Sequence, residues 1–226
     1  MKRTSTILLT FIFLACVICI TPHERGSAQR KAGQMKPTPI EDKYQADKGS
    51  SVLGTPLGGE QVGAGGGRFR LYQQGAIYWS SATGAHEIHG NSFQKYKEMG
   101  AESGALGYPV TDVVEIAEGG SEVVFQHGSV MVSKTGDAQA SVLPWATFKQ
   151  DGVSLKRGVK AMKKSASTAS LLPQSGTGGD TTVTCSCNTP QRLGSCDIHV
   201  RRGNTVQCAK GSCFGSCIII VKGSQQ

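Results

Sequence analysis

The sequence predicts an α+β protein that is mainly β, with two stacked repeats followed by a small disulfide-stapled β module. Two observations support this prediction. A set of short motifs recurs in the same order between residues 40 and 140, at an offset of 52 to 53 residues. Six cysteines then occur within barely thirty residues near the C-terminus. The stretches around these two regions have the composition of an export signal, a tether and a linker.

The N-terminus is typical of a secretory signal peptide. Lys2 and Arg3 precede an apolar run at residues 7–20 that is too short to span a bilayer. Small residues at 26–28 place cleavage before Gln29, so we expect a secreted protein, extracellular or associated with the cell envelope. Acylation of Cys16 is the alternative N-terminal processing. Residues 29–39 are polar and basic with two prolines, which indicates a tether.

The charge is unevenly distributed along the chain. Without residues 1–28 the chain has 21 basic and 15 acidic side chains, a net charge of +6. Residues 40–140 carry seven basic and twelve acidic side chains, whereas residues 141–179 carry six basic and one acidic. In an exported protein, this pattern favours anionic envelope polymers or lipid head groups over nucleic acid as the partner of the basic segment. No second apolar run is long enough to cross a membrane.

The repeat is visible as a series of landmarks. Lys-Tyr, Leu-Gly-x-Pro, a glycine-rich turn and a glycine between two alternating segments occur first at residues 43–86 and again at residues 95–138. Leu-Gly-x-Pro predicts an abrupt turn, because glycine permits positive φ and proline ends a helix. A unit of about fifty residues buries too little apolar surface to fold well alone. The two units are therefore expected to share a core.

Each unit has predictable elements. Residues 40–48 and 93–99 have the apolar spacing of short amphipathic helices. The alternating segments on either side of Gly75, and on either side of Gly128, predict pairs of strands joined by tight turns. A short helix plus a β-hairpin is thus the expected repeat.

These motifs resemble the LGFP repeat, a family named for a Leu-Gly-Phe-Pro turn. The turn LGYP at 106–109, preceded by YKEMGAESGA, and the segment GAIYWSSATGAH at 75–86 carry the resemblance, which covers about residues 40–140. The turn LGTP at 53–56 departs from the family at its third position. The resemblance implies a non-catalytic adhesive module of secreted and surface proteins of bacteria, attached to enzymes or anchored to envelope polysaccharide. Two repeat units are too few to close into a ring of repeats such as a propeller, so we expect an open body.

The candidate ligand-binding residues are aromatic side chains and one histidine. Tyr78 and Trp79 are adjacent on a predicted strand, so their rings point to opposite faces. An exposed ring would suit stacking on a sugar, and burial between the repeats is the alternative. Tyr108, at the Leu-Gly-x-Pro turn, presents the same two alternatives.

His86 and His89 flank a glutamate in the segment HEIH. A zinc protease helix needs histidines four residues apart, whereas these are three apart and follow a predicted strand. In an extended segment they would point to opposite faces. The resemblance implies that His86 fixes a Thr-Gly-Ala-His turn by hydrogen bonds. Ligand contact and metal binding are its alternative roles, and no metal site is predicted.

Residues 141–180 are interpreted as a basic linker. Leu155, Val159 and Met162 have helical spacing among lysines, so an interfacial helix on an anionic surface is the alternative. Trp145 and Phe148 are expected to pack back on the repeats.

Residues 181–223 form the predicted Cys-rich module. Four alternating segments predict a small meander of strands, and an even number of cysteines in a short exported module predicts disulfides. Cys185 and Cys187 lie two apart on one strand, so they should bond to different partners. The pairing stays open, and paired zinc-knuckle spacing is absent. The predicted disulfide cysteines are Cys185, Cys187, Cys196, Cys208, Cys213 and Cys217.

No catalytic pattern emerges from the sequence. It contains no Gly-x-Ser-x-Gly elbow and no phosphate-binding loop, and we predict no catalytic residue and no cofactor. The leading hypothesis is a secreted, non-catalytic cell-envelope protein that binds or is anchored to polysaccharide or another anionic surface polymer. The alternatives are a secreted effector or inhibitor that acts on a protein through the Cys-rich module, and a cell-wall hydrolase with an unrecognised site.

Overall fold

Antiparallel strands are the main secondary structure of the residues that the structure describes, as the sequence predicts. The computed structural model describes residues 36–46, 49–116, 119–173, 181–189, 194–201 and 204–222, so the predicted signal peptide lies outside the described residues. From Pro37 onward the chain forms one compact unit. The helices of the described part are α1 (Pro39–Ala46), α2 (Gly49–Val52) and α3 (Gly90–Glu98).

The strands of the described part form four antiparallel sheets of four strands each. The first sheet contains β1 (Gln61–Val62), β2 (Arg68–Leu71), β3 (Gly75–Ser80) and β4 (Gly84–His89). The second sheet contains β5 (Val114–Glu115), β6 (Gly120–Phe125), β7 (Gly128–Ser133) and β8 (Ala138–Val142). The predicted strand pairs are β2 with β3 and β6 with β7. Each sheet also has an outer strand on either side that the alternation did not predict.

The two predicted helices are present, with α1 at residues 39–46 and α3 at 90–98. Each helix places a tyrosine on a ring from the sheet beside it. Tyr44 stacks on Tyr72 with 4.8 Å between ring centroids, and Tyr96 stacks on Phe125 at 4.6 Å. The edge of Tyr96 also meets the ring of Tyr78 at 5.2 Å. Since Tyr78 belongs to the first sheet and Phe125 to the second, Tyr96 joins their cores.

The Leu-Gly-x-Pro turns have matching geometry. Gly54 has φ of +74° and Gly107 has φ of +70°, a region that favours glycine. The hydroxyl of Tyr44 donates to the Gly54 carbonyl at 3.0 Å, and that of Tyr96 donates to the Gly107 carbonyl at 2.9 Å. The same side-chain contacts therefore recur about 53 residues apart, at the offset of the sequence motifs.

Residues 143–222 form two more sheets that share one core, which we call the sandwich. One sheet has the order β14-β15-β10-β9, and the other has the order β11-β12-β13-β16. The strands are β9 (Ala146–Lys149), β10 (Gly152–Leu155), β11 (Val159–Lys163), β12 (Thr168–Pro173), β13 (Thr181–Asn188), β14 (Cys196–Arg201), β15 (Thr205–Lys210) and β16 (Ser216–Lys222).

All three predicted disulfides are present. Two of them link the two sheets of the sandwich, and the third links β13 to the loop between β15 and β16. The pairs are Cys185–Cys208, Cys187–Cys213 and Cys196–Cys217. The side chains of Cys185 and Cys187 are both buried and bond to different partners, as the strand period requires.

The segment interpreted as a basic linker, residues 141–180, instead contributes β9 to β12 over its described residues, so neither the linker nor its alternative, an interfacial helix, is found there. The four Cys-rich strands are not a single meander either, because β13 and β16 lie in one sheet and β14 and β15 in the other. The physical reason is burial: β9 to β12 complete the two sheets that together enclose the apolar side chains of the Cys-rich strands. Val159 and Ala161 alternate inward on β11 and help to fill that core, so the two-residue period overrides the helical spacing.

The sandwich packs against the second sheet, which confirms the predicted packing of Phe148. The Phe148 amide donates to the Gln126 carbonyl at 2.8 Å, and the Phe148 side chain is 1% exposed. Val110 and Val124, from the turn and the second sheet, belong to the same buried cluster as the sandwich. Within the described part of the chain, no helix has the length and apolarity needed to cross a membrane.

Candidate functional site

Tyr78 and Trp79 point to opposite faces of the first sheet, and both faces are covered. Tyr78 is 3% exposed and stacks on Phe69 with 5.4 Å between ring centroids. Burial raises the pKa of Tyr78 well above its usual value. Trp79 is half-buried against a cluster that includes Ile40 and Leu53. Of these two rings, only Trp79 therefore retains surface that a ligand could reach.

Tyr108 holds the glycine-rich turn of the first sheet. Its hydroxyl donates to the Ala64 carbonyl at 2.6 Å, and the residue is 6% exposed. Burial raises the pKa of Tyr108. A Cβ atom at Gly67 would overlap the Tyr108 ring, so this close approach requires glycine. The position of Tyr108 fits a structural contact better than sugar stacking.

The segment HEIH lies within β4 and not in a turn. The turn that precedes it spans residues 81–83, and His86 and His89 point to opposite faces because they are three residues apart on a strand. Nε2 of His89 lies 3.5 Å from the Glu87 carboxylate, and burial lowers the pKa of His89. The two histidines cannot bind one metal ion from opposite faces.

His86 is instead the centre of a buried polar cluster. Its Nε2 lies 2.8 Å from the Thr83 carbonyl, and its Nδ1 lies 3.2 Å from Oδ1 of Asp112. The Thr83 carbonyl and an ionised Asp112 carboxylate can only accept hydrogen bonds, so a ring nitrogen that carries a proton is the donor in each contact. Lys43 Nζ donates to the other Asp112 oxygen at 2.7 Å, and the Glu87 amide donates to Oδ1 at 3.1 Å.

The charge of Asp112 follows from these contacts. Burial raises its pKa, but the hydrogen bond from His86 and the positive charge of Lys43 outweigh burial and lower the pKa to about 2. The cluster connects α1, β4 and the loop before β5. Both ring nitrogens of His86 are already engaged, which favours a structural role over acid–base chemistry.

Among the described residues, one group of side chains has the distances of a metal site, and it consists of three cysteines. Cys196, Cys213 and Cys217 have sulfur atoms within 4.8 Å of one another. However, Cys196 is bonded to Cys217 and Cys213 to Cys187. Sulfur atoms in disulfides are not thiolates, so this group is a covalent staple.

A groove of about 380 Å³ lies between the β2–β3 turn and α3. Four exposed amide side chains line it, from Gln73, Gln74, Asn91 and Gln94. Its apolar wall contains Leu57, which is 66% exposed. At its other side, Lys97 Nζ lies 4.6 Å from the centroid of the Phe93 ring. The groove thus combines amide donors and acceptors with apolar surface.

The corresponding surface of the second sheet is filled. Val110, which is 53 residues after Leu57, is 1% exposed and packs in the core of the sandwich. His127 corresponds to Gln74, and its Nδ1 lies 3.1 Å from the Ala146 carbonyl of β9. The second sheet therefore uses this surface to bind the sandwich, while the first sheet leaves it open.

A second cavity of about 410 Å³ lies where α1, the loop before β5 and the sandwich meet. Its walls combine apolar residues with carboxylates and with polar groups at the end of β13. They include Tyr44, Ile77, Ile218, Glu87, Asp112, Glu115, Asn188 and Thr189. The Asp112 carboxylate is already engaged with Lys43, so part of the polar lining serves the fold.

The family model of the LGFP repeat matches residues 53–104. The chain is similar to that family over this segment. The matched segment begins at Leu53 of the first Leu-Gly-x-Pro turn and ends two residues before Leu106 of the second. It therefore contains the first sheet and α3, and the whole amide-lined groove lies within it. No curated protein matches the chain.

Sequence reasoning missed the groove and the Asp112 cluster. Gln73 and Gln126 occupy the same place after the two Leu-Gly-x-Pro turns, and each accepts a hydrogen bond from the third residue of its turn. That recurrence was visible in the sequence. Asp112 carried no such signal, because its partners Lys43 and His86 are brought to it only by the fold.

Proposed function

We propose that this is a secreted, non-catalytic protein of the cell envelope that binds polysaccharide through the open groove of its LGFP repeat. The LGFP repeat belongs to a family associated with the cell envelope. The observation that carries the proposal is the placement of four exposed amides in one groove inside that repeat.

The chemistry of the groove suits a polyhydroxylated ligand. A primary amide offers two donors and an acceptor with two lone pairs, so it can bind neighbouring hydroxyls of a sugar at once. Leu57 and the ring of Phe93 offer apolar surface for the C–H face of a sugar ring. Among the described residues that line the groove, Lys97 is the one with a charged side chain, which favours neutral or weakly acidic polysaccharide.

We further propose that residues 40–140 comprise two copies of the repeat with different tasks. The paired Tyr-to-Gly hydrogen bonds and the matching positive φ of Gly54 and Gly107 support two copies. The second copy binds the sandwich through the surface that forms the groove in the first copy. One copy is thus available for an external ligand.

The proposed export and the absence of catalysis have separate supports. The apolar N-terminal run behind Lys2 and Arg3 and the three disulfides fit an oxidising compartment outside the cytoplasm. His86 has both ring nitrogens engaged by Thr83 and Asp112, so it offers no free base.

Retention on purified envelope polysaccharide tests the proposal with the full mature chain. Gln74→Ala combined with Gln94→Ala should weaken retention about tenfold, because each lost hydrogen bond contributes about 0.5–1.5 kcal/mol. Gln45→Ala combined with Gln150→Ala is the matched control, since it removes two exposed amides outside the groove. Equal retention by both double variants would contradict the groove as the binding site.

A further inference from the structure

The sandwich has a strongly positive charge that the LGFP repeat lacks. Residues 143–222 contain eleven basic and three acidic side chains, a net charge of +8. Five of the basic residues lie on β11 and on the turns at its two ends. They are Lys156, Arg157, Lys160, Lys163 and Lys164.

Strand β11 arranges these charges at the edge of a sheet. Val159 and Ala161 face the core, so Lys160 and Met162 face outward. The Lys164 amide donates to the Thr168 carbonyl at 2.8 Å, so the pairing of β11 with β12 extends to this residue. Lys164 is two residues after Met162 and therefore continues the outward row. Alternate residues on a strand are about 6.6 Å apart, so the two lysines of the row are about 13 Å apart.

Partly exposed hydroxyl groups continue this row across the sheet. Thr168 pairs with Thr184, and Met162 pairs with the buried Ser170, which in turn pairs with Thr182. Directly paired residues share one face of an antiparallel sheet. We call the surface made by β11, Thr168, Thr182 and Thr184 the basic face. Ammonium and hydroxyl groups are both donors to phosphate oxygens.

The charges of the basic face are available to a ligand. All five basic residues are exposed, and in the part of the chain that the structure describes none of them lies within 4.0 Å of a carboxylate oxygen. A lysine row without acidic partners on an edge strand also prevents pairing with another sheet. The charge extends beyond the edge strand itself, however, because Lys156, Arg157 and Lys164 lie on the turns at its two ends.

We propose that the basic face binds a linear phosphodiester polymer, through contacts separate from the polysaccharide groove. A row of cations along one strand matches a linear polyanion better than a flat bilayer. Membrane binding by an interfacial surface needs a broad apolar area, and Met162 is the large exposed apolar side chain of the row, at 52% exposure. The hydroxyls of Thr168, Thr182 and Thr184 supply neutral donors beside the charges.

Binding of a synthetic poly(glycerol phosphate) chain to the full mature protein tests the proposal. Lys160→Gln and Lys164→Gln in one variant should weaken binding several-fold, because this variant removes both ammonium groups of the outward row. The variant with Lys160→Arg and Lys164→Arg should bind as well as the unaltered protein. Affinity should also fall steeply with salt, because bound counterions are released.

The control removes the same charge from the other sheet of the sandwich. Lys149→Gln and Lys210→Gln change two exposed lysines of β9 and β15. An equal loss in this control would show attraction by net charge alone and overturn the proposal. So would absence of polymer binding, or preferred binding to phosphatidylglycerol vesicles that Met162→Ser abolishes.

Discussion

The two sheets at residues 61–142 and the sandwich at residues 143–222 differ in what holds their cores together. The first region relies on large aromatic rings, with Tyr96 packed between Tyr78 and Phe125. The sandwich relies instead on three disulfides, which reinforce a core made mostly of valine, isoleucine, leucine and alanine. Short strands with small side chains bury limited apolar area, so covalent links replace part of the missing packing.

The two regions also differ in charge: residues 61–142 carry five basic and eight acidic side chains, a net charge of −3, and residues 143–222 carry a net charge of +8. The acidic region carries the amide-lined groove, and the basic region carries the basic face. This division suits two ligands of different chemistry on one protein. It also means that stability and binding can be perturbed separately in each region.

The largest expected effect concerns the aromatic core. Tyr96→Ala should destabilise the protein by about 4 kcal/mol, because it removes a fully buried ring between two sheets. The equivalent change Tyr44→Ala should cost about half as much, because Tyr44 is only half-buried. Urea unfolding at neutral pH measures both. Equal losses would show that Tyr96 does not join the two cores.

The next effect concerns the staples of the sandwich. Cys185→Ser with Cys208→Ser opens a link between residues separated by 23 positions and should cost about 3 kcal/mol. Urea unfolding followed by intrinsic fluorescence measures this loss. Reduction of the unaltered protein should destabilise it further. If reduction leaves the unfolding midpoint unchanged, the disulfides do not stabilise the sandwich.

Local patterns predicted much of this fold, because their causes are local. Glycine at the Leu-Gly-x-Pro turns, the strand pairs around Gly75 and Gly128, and the four Cys-rich strands all follow from turn chemistry and strand period. The prediction for residues 152–163 was wrong because the apolar residues among the lysines fit a helical period as well as a strand period. Pairing and packing with the Cys-rich strands favour the strand period over the helical one, and these contacts form only in the tertiary structure.

The candidate site shows the same limit. Tyr78, Trp79, His86 and Tyr108 were identified from residue type, and the structure places three of them in buried contacts. The groove amides come from a turn and from the first part of α3, which are 17 or more residues apart. Amides are common on surfaces, so no sequence pattern distinguishes these four until the chain brings them together.

A third prediction concerns acid stability of the first region. The pKa of Asp112 is about 2 in the folded protein and 3.8 in its ordinary state. A lowered pKa stabilises the fold above the ordinary value, and this contribution is lost as pH falls from about 4 to about 2. It corresponds to about 2 kcal/mol.

Asp112→Asn should therefore be less stable than the unaltered protein at pH 6, and the difference should shrink towards pH 2. Urea midpoints measured across this range test the prediction. Asp42→Asn, which changes an exposed carboxylate of α1, is the control and should show little difference at any pH. A constant deficit for Asp112→Asn at pH 6 and pH 2 would contradict the role of its charge.

The smallest expected effect contrasts the buried rings with an exposed one. Phe214 is 91% exposed in the loop between Cys213 and Cys217, which are both in disulfides. Phe214→Ser should change the free energy of unfolding by less than about 0.5 kcal/mol, because the ring buries almost no area. The staples hold this loop without help from its aromatic side chain, unlike α3, whose position depends on Tyr96. A loss above about 1 kcal/mol in urea unfolding would mean that the ring is packed in solution, and would weaken the contrast between stapled and aromatic cores.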